Sequence, residues 1–154
     1  MPSFHNVKTL PYHAEEIYKI VLDIEKYPEF LPWCKYAKIV EASSHNNLQA
    51  DLLINFKSFF EKYRSDVKYG KSDSDGFFVE AVAIDGPFKY LTNSWKFRDL
   101  KSASDKPECE VSFAINFEFN SILLSKMIGA IFEQATGKMM KAFEDRAQNL
   151  SARN

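Results

Sequence analysis

Between Tyr36 and Phe119 apolar and polar side chains alternate, the period-two signature of strands with one buried and one wet face. Leu48, Ala50, Leu52, Ile54 and Phe56 share a face, with Gln49, Asp51, Asn55 and Lys57 mostly opposite. Tyr63, Ser65, Val67 and Tyr69 alternate with Lys62, Arg64, Asp66 and Lys68. Leu91, Asn93, Trp95 and Phe97 alternate with Thr92, Ser94, Lys96 and Arg98, and Val111, Phe113, Ile115, Phe117 and Phe119 form the cleanest set. Asn46-Asn47, Asp75-Gly76, Asp85-Gly86-Pro87 and Lys106-Pro107 punctuate the runs as turns. With a short strand over Phe4 to Leu10, ended by Pro11, the pattern predicts an antiparallel sheet of about seven strands.

Two segments change period. Over His13 to Ile24 the apolar residues Ile17, Ile20, Val21 and Ile24 recur at helical spacing. Glu15 and Glu16 complement the positive helix end, while His13 is a poorer N-cap than Ser or Asp. Ser121 to about Leu150 reads as one helix of about 30 residues, roughly 45 Å long. Its stripe, Leu124, Met127, Ile128, Ile131, Ala135, Met139, Ala142 and Phe143, requires burial against the sheet. Between them, Tyr27-Pro28-Glu29-Phe30-Leu31-Pro32-Trp33-Cys34 carries two prolines, which limit it to a short helical turn. Its rings need something to pack on, so the segment reads as a lid or bracket. The order of strand, short helices, strands and long helix is an α+β layer arrangement.

At 154 residues, with no repeat or Pro/Gly/Ser-rich linker, the chain reads as one domain spanning 1–154. Its 14 Phe, 7 Tyr and 2 Trp favour a broad-walled core. A formal net charge of −1 gives no electrostatic reason to expect DNA. Cys34 and Cys109 are expected as free thiols in a reducing compartment. The start Met1-Pro2-Ser3-Phe4 has no signal-peptide character, and no apolar run approaches the roughly 20 residues of a membrane span. A cytoplasmic location is the expectation. His5, His13 and His45 are scattered, and no metal, nucleophile-elbow, phosphate-loop or dinucleotide motif occurs. The sequence therefore points to binding rather than catalysis, without a cofactor.

Four features bear on what is bound, and each has a plainer explanation. Gly129 and Gly137 either leave ligand volume beneath the helix, with Met127, Met139 and Met140 nearby, or permit close packing on the sheet. The run from Ile122 to Phe132 is apolar on nearly every face, which suits a bilayer-touching entrance or burial under the aromatic bracket. Tyr63, Ser65, Tyr69 and Asn93 place polar atoms on apolar strand faces. Such groups orient a ligand head or bond to backbone and water. Lys57, Lys62, Arg64, Lys68 and Lys71 outnumber Glu61 and Asp66 around one hairpin, as an RNA- or lipid-docking patch or a solvated face.

The chain resembles the coenzyme-Q-binding proteins of the START-like, polyketide-cyclase/dehydrase superfamily, which include the bacterial ribosome-association toxin. The resemblance runs from about Val7 to Ala147 and rests on several motifs together. They include Asp23-x-x-x-Tyr27-x-x-Phe30-Leu31-Pro32-Trp33-Cys34, Tyr63-x-Ser65-x-Val67, Asp85-Gly86-Pro87-Phe88-x-x-Leu91-x-x-x-Trp95-x-Phe97 and Ala142-Phe143-x-x-Arg146-Ala147. It implies a helix-grip fold, a curved antiparallel sheet wrapped on a long C-terminal helix, whose cavity holds an isoprenoid quinone such as ubiquinone or another lipid. A carrier or chaperone role in respiration follows, with transient membrane contact and a place peripheral to the inner membrane. The toxin branch implies instead association with the large ribosomal subunit and a block on subunit joining. Catalysis of the cyclase type would need an acid or base facing the cavity, for which Glu61 and Tyr63 are the candidates. Strand phase assigns Trp33, Phe56, Tyr63, Ser65, Trp95, Phe117, Met127, Ile131 and Phe132 to walls or entrance, with Ser65 or Tyr63 at the ligand head.

Overall fold

Alternation becomes seven strands: β1 (Ser3–Leu10), β2 (Cys34–Ser43), β3 (Asn47–Phe56), β4 (Phe59–Ser72), β5 (Gly76–Asp85), β6 (Phe88–Asp99) and β7 (Cys109–Phe119). The computed structural model describes residues 3–43, 45–56, 59–72, 76–101 and 105–152. Side chains at 56, 59, 128, 129, 131–133 and 152 fall outside that description, as do Lys57 and the turn residue Asp75. The strands form one antiparallel sheet in the order β1-β7-β6-β5-β4-β3-β2, so only the β1–β7 pairing joins strands distant in sequence.

Register fixes what faces inward. Cross-strand partners share a face, and the pairs Leu52↔Tyr63, Val79↔Trp95, Ala81↔Asn93 and Asn93↔Ile115 carry one continuous inner layer across five strands. Irregularities between Cys34 and Tyr36, and between Arg64 and Ser65, shift register without inverting the long runs. Val111, Phe113, Ile115, Phe117 and Phe119 are all buried, as their alternation predicts.

Helix α1 (Ala14–Leu22) buries Ala14, Ile17 and Val21. The weak cap at His13 is compensated from the sheet. Asp99 of β6 accepts from the Ala14 N–H at 2.8 Å, and Glu16 accepts from the His13 N–H at 3.2 Å. A 3-10 helix, Ile24–Glu29, contains Pro28 and leads into the aromatic bracket. The Tyr27 hydroxyl there donates to the Val21 carbonyl.

The single long helix predicted from Ser121 is two. Helix α2 (Ile122–Gly137) ends at Lys138, and α3 (Met139–Ala152) follows at once. Lys138 has φ −99° and ψ 0°, and its N–H bonds back to Ala135 at 3.1 Å, tightening the last turn. Gly137 weakens helix at that point, since glycine retains most backbone freedom. A Cβ there would meet only Phe4 Cε2, at 3.8 Å, so close packing does not demand the glycine. Gly129 lies outside the described side-chain positions.

The two halves are held differently. Phe143 of α3 packs its ring against Tyr27, Phe30 and Trp95, with centroids 5.4, 5.1 and 5.0 Å away. Arg146 pairs with Glu29 at 3.0 Å and covers the Phe30 ring at 5.1 Å, while Glu144 takes Lys8 of β1 at 2.6 Å. The N-terminal part of α2 instead exposes Ile122 (78%), Leu123 (65%) and Met127 (60%).

Candidate ligand-binding cavity

Sheet, bracket and the α2–α3 junction do not close completely on one another. A cavity of ≈ 80 Å³ lies between them, walled by Trp33 of the bracket, Tyr63 and Trp95 of the sheet, and Ala135, Thr136 and Met139 of the helices. A second space of ≈ 60 Å³ lies against Ser65, Val67, Val79 and Ala81. Tyr27, Leu52, Tyr63, Asn93 and Trp95 line both, so the two adjoin. An apolar cavity of about 150 Å³ suffices for benzene. Together the spaces are of ring size, well short of a polyprenyl chain.

The described wall residues carry no formal charge. Among the described residues lining either space, the titratable ones are Tyr27, Cys34 and Tyr63. Burial holds both phenols well above the usual tyrosine range and pushes the Cys34 thiol up to about 11, so all three are neutral at pH 7. Two of their donors are spent on backbone: Tyr27 on the Val21 carbonyl, and Cys34 on Tyr36, at 3.5 Å. The Asn93 side-chain oxygen differs. It is sealed from solvent and has no hydrogen-bond partner among the described residues. An unpaired buried carbonyl costs about 1–3 kcal/mol, on a strand position whose neighbours Leu91 and Trp95 are apolar and buried.

Of the residues that strand phase assigns to the site, Trp33, Tyr63, Ser65 and Trp95 line these spaces. Phe117 is 1% exposed in the solid core, its ring against Phe119, and Met127 faces outward on α2. The side chains of Phe56, Ile131 and Phe132 lie outside the described ones. Glu61 lines neither space. Sequence reasoning did not place Tyr27 or Thr136 in the wall. Thr136 was findable, since it falls in line with Met140, Phe143 and Ala147, all buried at helical spacing.

The cations near the β3–β4 hairpin separate into two groups. Lys62 and Arg64 both lean on buried Asp51, at 3.4 and 2.7 Å, and hold its carboxyl below the usual range. Lys68 instead joins Lys71, Lys96 and Arg98 along an open groove of ≈ 1020 Å³ across β4 to β7 and the β2–β3 turn. Glu80 and Glu110 also line it, the latter paired with Arg98 at 3.2 Å.

Residues 10–144 match the family described as polyketide cyclase / dehydrase and lipid transport. The chain belongs to this family. A relative from Rickettsia prowazekii named ribosome association toxin RatA is 40% identical, over 97% of this chain and 99% of its own. A Xenopus laevis relative named coenzyme Q-binding protein COQ10 homolog B, mitochondrial, is 30% identical over 95% of this chain, and 58% of that protein is covered. A START superfamily protein from Mycobacterium smegmatis superposes with a TM-score of 0.67 at 18% identity, covering 96% of this chain and 98% of its own. The fold is thus START-like, as the motifs suggest. Among the described residues, no helix is long and apolar enough to cross a membrane.

Proposed function

We propose that this member of the family binds a neutral hydrophobic ligand with a polar head, an isoprenoid quinone of the ubiquinone type, and carries it without turning it over. The observation behind this reading is a cavity with no charged residue among its described lining and a few polar groups, the Tyr63 hydroxyl and the Asn93 amide among them, on apolar walls. Ring and head would occupy the two adjoining spaces, beside Trp33, Tyr63 and Trp95. Each buried CH₂ of a prenyl tail contributes roughly 0.8 kcal/mol, so a tail lodged under α2 supplies affinity while the head supplies orientation. The tail requires α2 to lift, and the exposed Ile122, Leu123 and Met127 suit that segment to touching the inner-membrane surface as cargo passes.

The test is a lipid extract of protein purified from its own host, analysed by mass spectrometry, with Ala135→Phe alongside. Ala135 lines the cavity and is 7% exposed, so a ring there fills the space. Wild type should carry quinone and the variant should not. Empty wild type that also ignores added ubiquinone would refute the reading.

A second reading rests on the full-length likeness to a ribosome association toxin. Here the chain would dock on the large ribosomal subunit through the groove bearing Lys68, Lys71, Lys96 and Arg98, and block subunit joining. Salt-sensitive co-sedimentation with that subunit, weakened by Lys68→Glu with Lys96→Glu, is expected. Sedimentation indifferent to salt and to both reversals would exclude this surface.

A further inference from the structure

Resting on the ribosome-docking reading, we infer that the outer groove takes unpaired RNA, with Phe78 stacking on a base between the phosphate-binding cations Lys68, Lys96 and Arg98.

Cross-strand register builds this groove on the face of the sheet turned away from the core. One row runs Gly70↔Phe78↔Lys96↔Ser112 across β4 to β7. Residues opposite in register share a face, and the adjacent row, Tyr69↔Val79↔Trp95↔Phe113, is the one that packs inward. The outer row is small at both ends, so Phe78 and Lys96 stand over a floor without bulk in the open space of ≈ 1020 Å³. Gly70 keeps that floor clear. A Cβ there would come 3.2 Å from Asn46 Nδ2 and 3.7 Å from the Phe78 ring, on a backbone whose φ of +152° favours glycine.

Phe78 is a half-buried ring on the wet face of β5, outside the packed core and stacked on no other ring among the described residues. Its neighbours are cations. Lys96 is its register partner, Arg98 lies two residues along β6 in one direction, and Lys68 lies two residues before Gly70 in the other. Among the described residues Lys68 and Lys96 hold no ion pair, while Arg98 pairs with Glu110 at 3.2 Å. Glu80 faces Lys68 across β4 and β5, and Lys71 leans over the Phe77 ring at 6.0 Å, so the excess positive charge sits beside Phe78. A ring among cations suits a single strand, whose backbone the charges track while its bases stack on the aromatic face. Paired A-form RNA keeps its bases stacked and its major groove too deep and narrow for side chains, so a free base face is found in loops, bulges and ends. A bilayer is met by rings that project together. Phe78 instead lies within the groove, and the exposed Val82 and Ile84 lie further along β5, outside it.

The experiment titrates the full chain against fluorescein-labelled oligo(A), the same strand paired with oligo(U), and phosphatidylglycerol vesicles, over a range of salt. The single strand should bind more tightly than the duplex, with affinity falling as salt rises. Phe78→Ala should weaken it about tenfold at an unchanged salt slope, and Phe78→Trp should restore it. Lys96→Gln should flatten the slope by about 0.7. A native near-ultraviolet spectrum checks the folding of each variant. Phe78→Ala binding as wild type does, or duplex binding as well as single strand, would overturn the inference, while salt-sensitive sedimentation with the large subunit would leave the docking reading standing. Vesicles bound and oligo(A) ignored would make the groove a lipid surface and overturn it too. A chain that neither binds oligo(A) nor sediments with the subunit would overturn both.

Discussion

Replacing Asn93 by Leu should make the empty protein more stable, the opposite of what most core substitutions do. Asn93 Oδ1 is buried without a partner among the described residues, and its strand neighbours Leu91 and Trp95 are buried and apolar. Leucine has the same branching and number of heavy atoms, adds apolar surface that the adjoining spaces can take up, and removes a desolvated carbonyl whose cost is about 1–3 kcal/mol. A chain of 154 residues gains about 2–4 °C in melting temperature per kcal/mol, so the expected rise is about 2–12 °C. The measurement is thermal and urea unfolding of delipidated wild type and variant. The urea slope should be unchanged, because both expose the same surface. Bound ligand should reverse the ranking, since a ligand that recognises the native state stabilises it by mass action, and the variant has lost the partner for its head. An empty variant that melts at or below wild type would show that Asn93 Oδ1 has a partner in solution.

Gly86, at φ +135°, presses the β5–β6 turn onto Tyr63, where a Cβ would come 2.5 Å from the Tyr63 Cβ. Gly86→Ala should cost about 2–4 kcal/mol and weaken ligand binding through the displaced Tyr63; an unaltered urea midpoint would refute this. Phe143→Ala should cost about 3–5 kcal/mol, because the ring joins α3 to Tyr27, Phe30 and Trp95, and a loss below 1 kcal/mol would contradict that packing. Asp51 is held below the usual carboxyl range chiefly by hydrogen bonding to Arg64, so its contribution is full above its unfolded pKa and fades as pH falls through the lower folded value. Asp51→Asn should therefore lose less stability than wild type between pH 5 and pH 2 in acid titrations, and parallel curves would disprove the linkage. Burial pushes the Cys34 and Cys109 thiols up to about 11, so Ellman's reagent at pH 8 should label both slowly until urea unfolds the chain. Rapid labelling of Cys34 alone would mean that the cavity already stands open.

The sheet was legible because one face is buried: shifting β6 by one residue would send Leu91, Trp95 and Phe97 to water and Lys96 and Arg98 inward. The long helix was legible as an apolar stripe, but its break was not, because Gly137 and Lys138 fit within a helical pattern and only backbone geometry at Lys138 ends it. Strand phase brought Tyr63, Ser65 and Trp95 to the cavity because a strand's inner face is a line of known direction. It did not separate them from Phe117, on the same face of β7, since phase tells which side a residue faces and not whether that side is hollow. The grouping of Lys62, Arg64 and Lys68 by sequence dissolved for a similar reason. Asp51, thirteen positions before Arg64, takes two of these cations across the β3–β4 pair, and Lys68 finds its neighbours on β6.

The break at Lys138 also decides how a ligand much longer than the cavity would enter. Opening the sheet would require parting antiparallel ladders, whose hydrogen bonds run unbroken along most of the inner layer. Moving α3 would strip Phe143 from three aromatic rings and break the Arg146–Glu29 and Lys8–Glu144 pairs. The N-terminal turns of α2 are held more lightly: Ile122, Leu123 and Met127 already face outward, and among the described side chains there Leu124 packs on the core. Its N-cap is local, the Leu124 N–H donating to the Ser121 hydroxyl at 3.3 Å, so the helix can pivot as a unit without losing it. A helix continuous through residue 138 would couple the two halves and make α2 carry the cost of α3's aromatic anchors. On the proposed carrier reading, splitting the rod leaves one half to hold the fold while the other is free to admit a tail.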